Sequence, residues 1–192
     1  MKPLVKILYE DQQAEDASNF GPHVLVLRCV LDRLGWPEDR YFELQRHVSG
    51  QPRKGDRKLL AACRNANEAR NFRHVFAVFD GDKVRSIEPL RLASGACKSQ
   101  VREAIRSASP YAEQLRVVLL ERNMESVVAA VQGCKSLPVT GKLRLPERDA
   151  VLASIAWRAD AATVRACVLR EVPSLHYLVD RLAEVVHSHL SL

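Results

Sequence analysis

The chain has few cysteines: five among 192 residues, an odd number, with no Cys-x-x-Cys pair and scattered histidines. Zinc-ligand spacing is therefore absent. Cys29, Cys63, Cys97, Cys134 and Cys167 recur about every 34 residues, but their flanks do not match and an uncharged run before Asp80 interrupts the series, so a helical repeat is not expected. Reduced thiols in a cytoplasmic protein are the simple expectation. Met1-Lys2-Pro3 leads into only a short apolar run and no stretch approaches a bilayer thickness, so neither a secretory signal nor a membrane contact is expected. Glycine is sparse, at eight residues, and none falls in a Walker-type phosphate loop; nucleotide hydrolysis would have to come from a partner. Aromatics make up only 6%, too few and too dispersed for a platform that stacks single-stranded bases.

What is present suffices for a core. The hydrophobic fraction is 47%, and the length suits one domain, or a domain with an appendage. The net charge is +6, with Arg more prominent than Lys, which favours phosphate-bearing partners such as nucleic acid. Leu4–Tyr9 reads as a strand ending at Glu10, and 11–20 as a polar loop. Pro22 opens a helix with an apolar stripe at Val24, Leu27, Val30, Leu31 and Leu34, stopped by Gly35 and Pro37. Tyr41–Val48 is a second strand candidate and Ser49–Gly55 a basic, flexible loop. Asp56 caps a helix to about Ala69. The run to Asp80 is a strand, Lys98–Ser107 a helix, Leu115–Leu120 the last strand, and a helix carrying Glu125 follows. Strand and helix alternate, which predicts an α/β fold with a mostly parallel four-stranded sheet flanked by helices. From Gly133 the character changes. Lys135–Pro146 reads as an exposed basic segment, and three helices follow: Pro146–Trp157, Asp160–Val172 and Pro173–Leu190. The expected organisation is an α/β domain over 1–133 and a helical appendage over 134–192.

The most informative segment is His74-Val-Phe-Ala-Val-Phe-Asp-Gly-Asp-Lys83. Val75–Phe79 carry no charge and read as a buried, hence parallel, strand. Ligand sites in open parallel sheets lie beyond the carboxyl ends of strands, and here Asp80 and Asp82 stand at that end with Gly81 between them. Paired carboxylates repel without a cation, and such oxygen ligands suit Mg2+ or Mn2+. Asp and Gly also serve plain turn chemistry. Other strand ends add acids: Glu10 after the first and Glu121 after the last, with Glu125 four residues further on the same helical face. If the strands are parallel, these groups converge at one sheet edge as a hard-cation site. Cations held there would polarise a phosphodiester and generate hydroxide from bound water.

A strand-end Glu, a helix–strand–helix, then Asp-x-Asp at a strand end resembles the Toprim pattern of topoisomerases, primases and related nucleases. Leu119-Leu-Glu-Arg-Asn-Met-Glu125 is similar to the later acidic segment of the nuclease half of OLD-type enzymes and of small stand-alone Toprim proteins. Arg148-Asp-Ala-Val-Leu152 and Pro173-Ser-Leu-His-Tyr-Leu-Val-Asp-Arg-Leu182 resemble the helical tail of those small proteins. The resemblance implies a Mg2+-dependent nuclease or nicking activity, often in antiviral defence, sometimes beside an ATPase partner. It makes Glu10 a metal ligand or general acid/base, and Asp80, Asp82 and Glu121 or Glu125 metal ligands. Lys142 is the candidate for the family's transition-state lysine. Asp11 stands where the family has Gly, and Ala14 where a second acid is common.

Two other readings compete. Asp80-Gly-Asp-Lys-Val84 fits the first motif of haloacid-dehalogenase-type phosphatases, with Asp80 as nucleophile and Asp82 as acid/base, although that family carries the motif on its opening strand. The third is a non-catalytic Toprim-like subunit that binds an ATPase. Two basic clusters could hold a phosphate backbone: Arg53, Lys54, Arg57 and Lys58, and a later group with Lys135, Lys142, Arg144 and Arg148. Apolar stripes in the tail must be covered by the sheet domain, a second copy of the chain in a homo-oligomer, or another protein.

Overall fold

The computed structural model describes residues 3–11, 21–81, 84, 90, 92, 95–121, 123–138, 143–156 and 161–190. Among them, four strands form one all-parallel sheet in the order β2-β1-β3-β4, with β1 Val5–Glu10, β2 Val48–Arg53, β3 His74–Phe79 and β4 Leu115–Leu119. The helices are α1 Gly21–Leu34, α2 Tyr41–His47, α3 Asp56–Cys63, α4 Lys98–Ser107, α5 Met124–Cys134, α6 Leu145–Ala156, α7 Ala162–Glu171 and α8 Pro173–Leu190. The fold is α/β, as the alternation predicts.

The chain divides into two compact units. The first comprises 1–18 and 46–123, and the second 19–45 and 124–192. The expected single cut at residue 133 differs from this division, which groups α1 and α5 with the C-terminal helices.

In the first unit the sheet forms because β1, β3 and β4 are largely apolar, with Lys6 and Arg116 as charged exceptions in their interiors, and so can bury most of both faces. On one face, Leu8, Ala77, Phe79, Val117 and Leu119 belong to one core cluster with Leu59, Cys63, Val101 and Ile105 of α3 and α4. The opposite face of the same strands, with Ile7, Tyr9, Phe76, Val78 and Val118, is buried too. β2 is an edge strand, which is why it tolerates Pro52: the missing N–H faces no neighbour. The segment Tyr41–Val48, expected as a strand, is instead helix α2 up to His47, and the expected loop Ser49–Gly55 supplies β2. The reason is visible in the burial: Tyr41 and Leu44 are fully buried at a spacing of three, while Phe42 is 64% exposed, a helical rather than an alternating pattern. α3 is shorter than expected. Gly55, at φ 82°, precedes it, and after Cys63 the chain tightens into a 3-10 turn over Ala66–Glu68, capped by the Asn65 side chain on the Asn67 amide at 3.1 Å.

In the second unit the tail helices fall where the sequence places them. Pro146 and Pro173 sit in the first turns of α6 and α8, where a missing N–H costs nothing. Leu152, Ile155, Val168, Leu175, Leu178, Val179, Leu182 and Val186 are buried. The Arg165 guanidinium clasps α1 through Asp32 at 2.5 and 2.9 Å and α6 through the Ile155 carbonyl at 2.6 Å. The expectation of reduced thiols fails for one pair: Cys134, closing α5, is bonded to Cys167 of α7. Cys29 and Cys63 are buried free thiols and Cys97 is an exposed one. Among the described residues no helix is long and apolar enough to cross a membrane.

Candidate active site

Strand order fixes where a ligand can enter this sheet. From β1 the chain adds β2 on one side and then returns to add β3 and β4 on the other. The direction of winding reverses between β1 and β3. In open parallel sheets the crevice for a ligand lies at this switch point, beyond the strands' carboxyl ends. Glu10 closes β1, and Asp80 follows directly on β3, so the two acids flank the switch point.

The two come together. Glu10 Oε2 accepts the Asp80 backbone N–H at 3.0 Å, a contact across 70 residues of sequence. Glu10 is 8% exposed, Asp11 4% and Asp80 9%, so all three acids are almost excluded from water. Asp11 holds its place through its own amide, which donates to the Arg53 carbonyl at 3.0 Å and continues the β1–β2 ladder past Glu10. On the other side, the Leu120 N–H donates to the Phe79 carbonyl at 2.9 Å and carries β3–β4 pairing past its last registered pair.

Gly81 makes this edge possible. A Cβ built there would lie 2.0 Å from the Leu120 carbonyl oxygen, so only glycine lets the Asp80–Gly81 turn pass so close to the end of β4. That end carries Glu121, which is exposed. Glu121 and Glu125 do not share a helical face. Glu121 precedes α5, which begins only at Met124, and Glu125 is an exposed first-turn residue of the second unit. Asp82 and Lys142 lie outside the described residues.

The basic residues divide. Arg53, expected to hold nucleic acid, is committed elsewhere: its guanidinium donates to Glu68 at 2.5 Å and to Gln51 at 3.1 Å, and its side chain is only 12% exposed. Glu68 also receives Lys6 at 2.5 Å. One carboxylate thus pairs with a charged residue of the central strand β1 and another of the edge strand β2. Lys54, Arg57 and Lys58 remain exposed. Arg53 is registered opposite Glu10, so Lys54 leaves β2 at the same sheet edge as the acids. In the second unit Arg148 is buried and bonded to Asp149 at 3.0 Å, while Arg144 is exposed. Glu68 is the contributor that sequence reasoning missed. Its 3-10 turn gives no periodic signal, and its two partners are remote in sequence.

Among the described residues, no group of three His, Cys, Asp or Glu side chains is arranged to hold a metal ion. The strand ends do offer carboxylate oxygens from two strands, Glu10 and Asp80, which is the donor chemistry of Mg2+ and Mn2+. Comparisons with protein-family models, curated proteins and solved structures return no match.

Proposed function

We propose that the chain is a metal-dependent nuclease that hydrolyses or nicks phosphodiesters at the carboxyl edge of its sheet, with Mg2+ or Mn2+ as cofactor. The observation that carries this reading is the meeting of buried Glu10 and Asp80 at the topological switch point. The hydrogen bond from the Asp80 amide fixes the orientation of the Glu10 carboxylate. In that orientation Glu10 serves as a ligand or takes a proton from the attacking water, the work of a positioned general base. Asp80, with Asp82 two residues beyond it, supplies further oxygen ligands. A divalent cation held by Glu10 and Asp80 would lower the pKa of its water and neutralise the leaving oxygen. Exposed Lys54, Arg57 and Lys58 hold the phosphate backbone at the same edge, without reading sequence. The Toprim resemblance supports this assignment. An ATPase partner and a defence role rest on that resemblance alone.

The test is plasmid nicking with Mg2+ and Mn2+. The parent is expected to cut, and Glu10→Gln and Asp80→Asn each to lose at least about a hundredfold, the usual weight of a positioned acid–base or metal-ligating group. Cutting by Glu10→Gln at the parental rate would remove the residue from the site. Hydrolysis of p-nitrophenyl phosphate without nicking would favour the phosphatase reading.

A further inference from the structure

The Cys134–Cys167 bond belongs to the second unit, whereas the candidate active site belongs to the first, and it opens onto a cavity. The cavity, about 500 Å³, lies in the second unit between α5 and α7, and both cysteines line it. Its α5 wall is made of Ser126, Ala129, Ala130 and Gly133, side chains too small to cover the sulfurs. A Cβ at Gly133 would meet nothing within 4 Å. Both cysteines are only half-buried.

We propose that Cys134–Cys167 is a site of reversible thiol–disulfide exchange, entered through this cavity by a small dithiol. A thiolate of the dithiol attacks one sulfur and forms a mixed disulfide, displacing the other cysteine as thiolate. The reagent's second thiol then displaces the remaining cysteine. Two electrons pass to the protein, the two protons of the reagent end on Cys134 and Cys167, and the reagent leaves as a cyclic disulfide.

The fold is built to survive the opened bond. α7 keeps its place through the Arg165 clasp on Asp32 and the Ile155 carbonyl, and through buried Val168. Nor do the core thiols enter the exchange. Cys29 and Cys63 are buried, and burial pushes both thiols up to about 12, so they stay protonated and unreactive.

The experiment is native reduction read by intact mass. The folded protein is treated with dithiothreitol and then iodoacetamide. Before reduction the exposed Cys97 alone is expected to take a label; afterwards Cys134 and Cys167 add two more, and the circular dichroism stays unchanged. Removal of dithiothreitol and mild oxidation restores the single label. Gly133→Leu, which fills open space in the cavity wall, is expected to slow native reduction about tenfold by closing access to the sulfurs. The proposal is overturned if the extra labels appear only in denaturant, if reduction unfolds the protein, or if Gly133→Leu is reduced at the parental rate.

Discussion

Gly81 is the residue on which the geometry of the edge turns. Its would-be Cβ meets a backbone carbonyl, not the flexible tip of a side chain, so the clash cannot be relieved by a rotamer change. Gly81→Ala is expected to cost about 3 kcal/mol, at the upper end of overpacking effects. The loss should appear in urea denaturation as a lower midpoint at an unchanged slope. An unchanged midpoint would mean that the turn does not approach β4 as described. The sequence makes Glu10 and Asp80 legible as partners, because each directly follows a strand-like run that is apolar but for Lys6. It could not reveal that the contact runs through the Asp80 amide, since a backbone donor leaves no trace in residue identity. The role of Arg53 was hidden for a similar reason. In sequence it is one of four cations, and only its register beside β1 and its bond to Glu68 set it apart from Lys54.

At the scale of elements, the central strands β1 and β3 are readable because burial on both faces demands runs that, between their ends, are apolar but for Lys6, and the other edge strand, β4, because only Arg116 interrupts its apolar residues. β2 is not, because an edge strand needs neither apolar continuity nor every N–H. Ser49, Gly50, Gln51 and Pro52 therefore look like a loop. α2 reads as a strand in the sequence because seven residues offer too little length to separate a period of three from alternation. What fastens β2 and β1 to the turn after α3 is Glu68, whose carboxylate is 14% exposed between Lys6 and Arg53. Glu68→Gln would leave two partly buried cations near one another without their shared anion. Removing one member of a fully buried pair costs about 3–5 kcal/mol, and the residual exposure reduces this to about 2 kcal/mol. Chemical denaturation of the variant checks the figure. A loss below about 0.5 kcal/mol, the range of ordinary surface substitutions, would place Glu68 among solvated surface acids instead.

At the scale of the molecule, the parallel sheet and its order matter more than any single motif. With β1 and β3 adjacent and the winding reversing between them, acids far apart in sequence are delivered to the same end of the sheet. The sequence predicted an α/β sheet and a helical C-terminal region, but not that α1 and α5 group with the tail helices, because that grouping depends on tertiary packing alone. Nor could it predict the Cys134–Cys167 bond, since five cysteines permit many pairings and none is marked by spacing. We propose the carboxyl edge of this sheet as a divalent-cation site. Crystals soaked in Mn2+ and measured for anomalous scattering test it most directly. An anomalous peak is expected at the switch point in contact with the carboxylates of Glu10 and Asp80, and it is lost in Asp80→Asn. Saturating Mn2+ with no peak there, or a peak that persists unchanged in Asp80→Asn, would contradict it.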